Sequence, residues 1–442
     1  MPLADRQTSR DVSRMKISRF AALGAAAAVA LAALTDPAAA QDRALRFRAV
    51  VTGDGRVVPG GMVLIRGDTI VAVGDGRTAV PINVPVVDLS RYTAIPGMID
   101  VHTHMTYYWD STSGTDPWRQ PPRPAEETVR LARMNALHTL EAGVTTVRDL
   151  GSSNYTDIAL RDSINRGGWI GPRMFVAGYG LQKARRGNRP NVDTTRTVRG
   201  RVFEISQIPA AVQQQIDAGA DYIKMYGSSG SGADVTGKET FTFDEMKAAV
   251  DAAHAGGKRI AIHSYGPVGG RDAVNAGVNT LEHAIDLDDA TLAEMVKRGT
   301  FYVPTIDHNR YYAEYAAQFH YTPQQVAALD SFRLRNEETA RRAFKAGVKI
   351  GMGSDAVFTM FGQNTRELGE LVKIGMTPAQ ALAAATTTGA EILGMENRLG
   401  RIAPGYAADI VAVDGDPLAD IRVAMYGVKW VMKGGAVVVD KR

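Results

Sequence analysis

Two histidines that follow a short apolar segment limit most strongly what this chain can fold into. Residues 97–101 are mostly apolar and few enough to form one buried parallel strand, and His102 and His104 come directly after them. Side chains two residues apart on a strand point to the same face, so both imidazoles are expected to face one point. Two neutral imidazoles that converge in this way can form half of a metal site; two polar residues in a strand-to-loop turn are the alternative.

The chain has 442 residues and no cysteine. The absence of cysteine excludes disulfides, thiolate zinc sites and cysteine nucleophiles, so any metal must be held by nitrogen and oxygen atoms. The length indicates one large domain with a smaller one, and the 45% hydrophobic content is ordinary for a globular protein. No basic cluster suggests nucleic acid, and no apolar run after residue 40 suggests a membrane span.

The first forty residues have the pattern of a bacterial-type secretory signal peptide. Arg14, Lys16 and Arg19 precede an alanine-rich apolar run over 21–34, and small residues end the segment at 38–40. The run is too short for a membrane-spanning helix. We therefore predict that residues 1–40 are cleaved and that the mature protein is secreted or periplasmic; an N-terminal helix is the alternative.

Both ends of the remaining chain contain short runs typical of β-strands. Near the N-terminus these runs are 46–51, 61–65, 69–73 and 84–89, separated by glycine and aspartate turns. Near the C-terminus they are 408–413, 423–426, 428–432 and 436–440. Chain ends often lie close together, so residues 41–94 and 398–442 are predicted to form one small β-sandwich domain.

Residues 95–397 alternate between strand and helix patterns. The candidate strands are 97–101, 144–149, 173–177, 221–225, 259–263, 279–283, 301–305 and 350–354. The candidate helices are 125–142, 155–166, 208–218, 243–256, 269–276, 288–298, 322–346 and 377–393. Eight strand–helix units predict an α/β fold of the (β/α)8 TIM-barrel type. A doubly wound open sheet is the alternative, but no G-x-G-x-x-G follows a strand.

Side chains that could hold a metal stand at or near the ends of five predicted strands. They are His102, His104, Lys224, His263, His283 and Asp355. A barrel gathers the carboxyl ends of its strands at one mouth, where active sites lie. Lys224 is the unusual member, because burial of a charged amine is costly and should lower its pKa. A neutral amine could react with carbon dioxide to form a carbamate; a salt bridge to a carboxylate is the alternative.

These motifs together resemble the metal-dependent amidohydrolase superfamily. The resemblance rests on residues 95–104, the strand-four lysine, His263, residues 282–284 and residues 353–355, and it covers nearly the whole chain after residue 40. Residues 141–149 and 263–283 are similar to the imidazolonepropionase-like and prolidase-like branch, which includes carboxypeptidase-type and ochratoxin-cleaving hydrolases. Imidazolonepropionases proper differ at the lysine position, so Lys224 argues against that activity.

The resemblance implies two divalent metal ions, with zinc favoured over manganese, cobalt or iron. The residues implied for one ion are His102, His104, Lys224 and Asp355. Those implied for the other are His263, His283 and a bridging carbamate on Lys224. A metal-bridging hydroxide would attack the substrate, and Asp355 would pass its proton to the leaving amine.

Substrate specificity is expected in the loops that follow the strands. Tyr107 and Trp109 lie in an aromatic loop after strand one and are predicted to bind an apolar or aromatic group of the substrate; packing of each ring on neighbouring helices is the alternative. Tyr226 shares the facing of Lys224 and could bind a substrate carboxylate, and His308 could donate a hydrogen bond to the substrate. Three arginines after strand three are further carboxylate candidates: Arg185, Arg186 and Arg189.

The sequence therefore predicts an enzyme that hydrolyses a carbon–nitrogen bond of a small amide or dipeptide. The candidate substrates are N-acyl amino acids, X-Pro or carboxypeptidase-type dipeptides and ochratoxin-like amides. No nucleic-acid partner is expected, and a homo-oligomer stays open. A cyclic-amide, lactone or ester hydrolase on the same site is the alternative. A non-catalytic binding protein is more remote, because all six ligand positions are present.

Overall fold

The computed structural model of the protein describes residues 42–112, 114–184 and 199–442. The predicted signal peptide over 1–40 lies outside the described residues, and so do Arg185, Arg186 and Arg189. Within the described residues, no helix is both long enough and apolar enough to cross a membrane.

The strands follow one another along the described chain in this order: β1 (Arg43–Val51), β2 (Val57–Pro59), β3 (Met62–Arg66), β4 (Thr69–Gly74), β5 (Val86–Pro96), β6 (Met98–Thr103), β7 (Val144–Asp149), β8 (Arg173–Val176), β9 (Gln182–Lys183), β10 (Arg201–Val202), β11 (Ile223–Tyr226), β12 (Ile260–Ser264), β13 (Thr280–His283), β14 (Phe301–Val303), β15 (Ile410–Val413), β16 (Val428–Lys433) and β17 (Ala436–Asp440).

The α-helices are α1 (Ala125–Glu141), α2 (Thr156–Asn165), α3 (Ile208–Asp217), α4 (Phe243–Ala255), α5 (Pro267–Ala276), α6 (Asp289–Arg298), α7 (Ile306–Glu314), α8 (Pro323–Ala346), α9 (Glu367–Lys373), α10 (Pro378–Ala384), α11 (Thr387–Leu393) and α12 (Arg422–Tyr426). Short 3-10 helices cover Pro117–Arg119, Ile205–Gln207, Phe358–Met360 and Asn364–Arg366.

Strands from both chain ends form one eight-stranded sheet. Its order is β17-β16-β15-β5-β1-β3-β4, with β2 paired to β1. The antiparallel pairing of β15 with β5 places Ile410 opposite Pro96, immediately before β6 begins. Gly97 makes this junction, where its backbone N–H donates to the carbonyl oxygen of Asp409 at 2.8 Å. A Cβ at Gly97 would overlap Thr145, so the close approach requires glycine.

Two parallel sheets follow in the middle of the chain, one of β6-β7-β8 and one of β11-β12-β13-β14. At one edge, the backbone N–H of Asp221 donates to the carbonyl oxygen of Val176 at 2.8 Å, which joins the end of β8 to the approach to β11. At the other edge, residues 349–356 run between β14 and β6 and donate or accept hydrogen bonds on both sides. Backbone hydrogen bonds thus connect the two sheets at both edges.

The local sequence explains why the helices begin and end where they do. Helix α8 starts at a capping box in which Thr322 accepts from the N–H of Gln325, and it ends at Gly347 with a φ of 90°. Helix α4 also starts at a capping box, in which Thr242 accepts from the N–H of Glu245. Each of these helices buries one face against the central apolar core.

The structure corrects three predicted elements. Residues 423–426 are helical in α12, because the Asp420 side chain accepts from the N–H of Arg422 and starts a turn. The predicted strand 350–354 makes isolated bridges rather than a ladder, at Ile350 and at Ala356. The helix predicted over 377–393 is two helices, α10 and α11, separated at 385–386.

Candidate metal centre

Strand β6 carries His102, and His104 follows directly after the strand. Nδ1 of His102 lies 2.8 Å from Oε2 of Glu282, and Nδ1 of His104 lies 3.0 Å from the carbonyl oxygen of Gly151. These contacts occupy Nδ1 of both rings. The Nε2 atoms of His102 and His104 lie 3.5 and 3.3 Å, respectively, from Oδ1 of Asp355. Both imidazoles therefore face one carboxylate, as the spacing of the two histidines predicts.

Asp355 lies in the segment, residues 349–356, that runs between β14 and β6. Its backbone N–H donates to the carbonyl oxygen of His102 at 2.7 Å, and its φ of 51° is left-handed. Oδ2 lies 3.2 Å from Nε2 of His308, on α7. Burial alone would raise the pKa of Asp355, but His308 and His102 hold it well below its ordinary value. Asp355 is thus an ionised carboxylate among three imidazoles.

The other three predicted ligands lie on neighbouring parallel strands. In the register of β11, β12 and β13, His263 is opposite Tyr226 and Glu282, so Lys224, His263 and His283 reach the same end of the sheet. The ring centroids of His263 and His283 are 4.6 Å apart. Nδ1 of His283 lies 2.7 Å from Oγ1 of Thr305.

His283 and Asp355 share a strained backbone conformation, with φ values of 70° and 51°. Left-handed conformations in residues other than glycine are uncommon and cost of order 1–3 kcal/mol each. Such strain concentrates at functional sites, where the surrounding structure holds it in place. Two of the six candidate ligands have this conformation, as does Thr305, which contacts His283.

All six candidate ligands line one cavity of about 100 Å³. The residues that complete its wall are Tyr107, Trp118, Tyr226, Gly230, Ser231, Tyr265, His308, Tyr312 and Val357. Tyr107, Tyr226 and His308 are thus placed where the sequence predicts. Trp109 does not line this cavity: it is 4% exposed, and its Nε1 donates to Thr115 at 2.7 Å, within the same loop. Trp118, nine residues further on, lines the cavity.

The polar atoms of this cavity fit a metal. Nε2 of His102, Nε2 of His263 and Nζ of Lys224 are buried, and they have no hydrogen-bond partner within the described ranges. Burial of such a group without a partner costs about 1–3 kcal/mol. His102, His283 and Asp355 each offer one ligand atom, and these atoms lie within 4.8 Å of one another. Nitrogen and carboxylate donors at such distances suit a first-row divalent cation.

At His104, Asp355 outweighs burial and raises the pKa. Burial dominates at the other three candidate histidines. It lowers the pKa of His102 to about 4, with Lys224 as a further cause, and holds the pKa of His263 and His283 well below the ordinary value. These imidazoles are therefore neutral, which is the state that binds metals. Burial also lowers the pKa of Lys224 to about 8, which favours the neutral amine that carbamate formation needs.

Sequence reasoning overlooked two residues of the site. Tyr265 lines the cavity, and its ring stacks on His263 with centroids 4.8 Å apart. It lies two residues beyond His263, so strand alternation could have indicated it. Glu282 contacts His102 from β13, and a carboxylate within an apolar strand is a signal in itself.

The sequence of the chain matches the model of a known protein family. The model of the Amidohydrolase family matches residues 93–438. The ochratoxinase of Aspergillus niger is 29% identical over 374 residues, which are 77% of this chain and 74% of that protein.

Solved structures with a similar fold match this chain over most of its length. A Xaa-Pro dipeptidase with bound methionine in its active site has a TM-score of 0.80 and 31% identity, and the match covers 90% of this chain and 99% of the dipeptidase. A prolidase complexed with N-methylphosphonate-L-proline has a TM-score of 0.79 and 29% identity, and the match covers 90% of this chain and all of the prolidase. These neighbours imply a TIM-type barrel with mixed α and β content.

Proposed function

Because the chain belongs to the amidohydrolase family, and is therefore a hydrolase that acts on carbon–nitrogen bonds, we propose that it cleaves the amide bond of a dipeptide, N-acyl amino acid or ochratoxin-like substrate. The observation that carries this proposal is the cavity on which His102, His104, Lys224, His263, His283 and Asp355 converge. Aromatic rings surround these ligands, so the proposed substrate carries an apolar or aromatic group.

Two divalent cations are proposed as cofactors, with zinc favoured by the nitrogen and oxygen donors. The residues proposed for one cation are His102, His104, Lys224 and Asp355, and those for the other are Lys224, His263 and His283. Lys224 would serve both in its carbamate form, which offers two oxygen atoms. When bound, such cations lower the pKa of a water molecule and polarise a carbonyl group.

Asp355 is the proposed proton carrier. Its carboxylate is ionised and lies among three imidazole Nε2 atoms, so it can accept a proton from the attacking water at Oδ2 and release it to the leaving amine. His308 orients that carboxylate through its contact of 3.2 Å. His308 lines the cavity, so its imidazole is the proposed contact for a polar group of the substrate.

The substrate is proposed to extend beyond the inner cavity. Small-molecule sites are typically about 300–1,000 Å³, which is larger than this cavity. A groove of about 620 Å³ adjoins it and shares Trp118 and Ser231 with its wall. Burial raises the pKa of Tyr226 well above its ordinary value, so its hydroxyl stays protonated and can donate to a substrate carboxylate.

A substrate screen tests this proposal. The zinc-reconstituted protein would be offered X-Pro and other dipeptides, N-acyl amino acids and ochratoxin A, with lactones as the comparison. We expect hydrolysis of an amide class and its loss in Lys224→Ala and in Asp355→Ala. Full activity of either variant, or turnover of lactones alone, would contradict the proposal.

The arrangement of the whole chain is also a proposal. Residues 95–397 would form the complete (β/α)8 barrel, and residues 41–94 with 398–442 the small β-sandwich domain. Residues 1–40 would be removed on export to the periplasm or the medium. N-terminal sequencing of the exported protein tests the cleavage, and a mature chain that retains residues 1–40 would refute it.

A further inference from the structure

A fully buried arginine–glutamate pair lies directly behind the cavity. Nη2 of Arg148, on β7, donates to Oε1 of Glu282 at 2.9 Å, and neither side chain is exposed. The same guanidinium donates through Nη1 to Oγ1 of Thr280 at 2.9 Å and through Nε to the carbonyl oxygen of Val101 at 2.5 Å. Arg148 thus fixes Glu282 in place and ties β7 to β6 and β13.

The second oxygen of Glu282 faces a candidate ligand. Oε2 lies 2.8 Å from Nδ1 of His102, whose side chain is 1% exposed. An arginine is always charged, and a buried charge needs an opposite partner, so Glu282 is a carboxylate. A carboxylate only accepts hydrogen bonds, so the N–H of His102 must be on Nδ1.

The other candidate histidines with a bound Nδ1 have neutral partners. Nδ1 of His104 meets the carbonyl oxygen of Gly151, and Nδ1 of His283 meets the hydroxyl of Thr305. Hydrogen bonds to a charged acceptor are roughly twice as strong as those between neutral groups. Among these three histidines, His102 is therefore the one whose tautomer is fixed most firmly.

Fold stability alone does not explain this pair. Removing two charges from water costs several kcal/mol per ion, and replacing a buried pair by apolar side chains is often neutral or stabilising. Both charges are fully buried, and the Arg148 guanidinium lies over the ring of Tyr222, with 4.6 Å between Cζ and the ring centroid. Because a buried ion pair is weak evidence for stability, the contact of Glu282 with His102 accounts better for the charges.

We propose that Glu282, held by Arg148, is a positioning residue that keeps the His102 proton on Nδ1 and directs the Nε2 lone pair into the cavity towards a divalent cation. This inference rests on the proposed function, in which His102 is a metal ligand. Partners of this kind typically change metal affinity by about 10–100-fold.

Zinc affinity tests the inference. It would be measured by competition with a chromophoric chelator on metal-free wild-type protein, on Glu282→Gln and on Glu282→Gln combined with Arg148→Met. Glutamine keeps the shape but can offer Nδ1 either a donor or an acceptor. We expect zinc binding to weaken by about 10–100-fold in both variants. The double variant leaves no arginine unpaired and decides the test if the single variant does not fold.

Asp409→Asn is the matched control. It removes an ion pair with Arg173, 2.6 Å long and outside the cavity, so it should lower the thermal stability and leave zinc affinity unchanged. A second readout needs no metal: nitrogen-15 NMR of the metal-free protein should show His102 protonated at Nδ1, and a mixture of tautomers in the variants.

Three results would overturn the inference. They are zinc affinity within twofold of wild type in the folded variants, protonation of His102 at Nε2 in the metal-free wild type, and an equal loss of affinity in Asp409→Asn. A wild-type protein that binds no zinc would instead refute the proposed function, and the inference with it.

Discussion

Gly353→Ala perturbs the packing behind the metal ligands without removing a ligand. Gly353 lies on the segment between β14 and β6, directly behind His102. An added Cβ would overlap Cγ1 of Val303 and lie 2.8 Å from Cβ of His102. Both neighbours are buried and backed by other packed groups, so the backbone or His102 must move.

The expected magnitude follows from these contacts. Overpacking a dense core costs about 1–3 kcal/mol, so the free energy of unfolding of the metal-free protein should fall by that amount. Movement of His102 relieves part of the overlap and misplaces a candidate ligand. If about 1.4 kcal/mol of this cost appears as a loss of zinc-binding free energy, the zinc affinity falls tenfold. Urea denaturation and chelator competition measure the two effects.

Gly369→Ala is the control for this experiment. Gly369 lies in α9, where an added Cβ would meet only the flexible end of Met425 at 3.3 Å. Alanine should stabilise the helix by roughly 0.5–1 kcal/mol and leave zinc affinity unchanged. A Gly353→Ala protein with wild-type stability and wild-type zinc affinity would refute the packing argument.

Three further predictions concern the groove, helix α7 and the metals. Trp118→Ala should raise KM for substrates with an aromatic group by roughly tenfold, with a smaller effect on kcat, because Trp118 walls both the cavity and the groove. Glu367→Gln should lower kcat and leave the metal content unchanged, because Glu367 accepts from the N–H groups of Ile306 and Asp307 at the start of the helix that carries His308. Removal of zinc by a chelator should lower the melting temperature, since ligand at 100 times its Kd stabilises by about 2.7 kcal/mol.

Each of these has a contradicting result. An unchanged KM in Trp118→Ala would show that substrate does not contact this wall. A loss of metal from Glu367→Gln would place its effect on the ligands rather than on His308. A melting temperature that zinc does not change would show that the folded chain binds no metal.

The regular parts of the fold were predictable from local sequence patterns. Strand β7 has the predicted bounds, and α1, α3 and α6 differ by one residue at one end. Helix α7 was missed, because its residues are polar and aromatic and its N-terminus is capped by Glu367, about sixty residues away. Residues 423–426 were assigned as a strand because four apolar residues fit either period, and the turn started by Asp420 decided the outcome.

The sequence predicts the part of the site that follows from the alternation of side chains along a strand. His102 and His104 share a face because they are two residues apart, and the parallel order of β11 to β13 brings Lys224, His263 and His283 to one end of the sheet. What the sequence lacks is the geometry of the loops. Tyr107, Trp109 and Trp118 share one loop, yet Trp109 turns into the core.

The pairing of charged residues on different strands could not be predicted from the sequence either. Arg148 and Glu282 are visible as charges in apolar runs, but 134 residues separate them. Their pairing depends on the order in which the strands neighbour one another, which single-strand patterns do not give.

The metal content of the zinc-reconstituted protein tests the central claim most directly. It would be measured on wild type and on Lys224→Met, which keeps the volume of the lysine stem but cannot form a carbamate. The account predicts two zinc ions per wild-type chain and the loss of at least one in Lys224→Met. Fewer than one zinc ion per wild-type chain, or two in Lys224→Met, would contradict it.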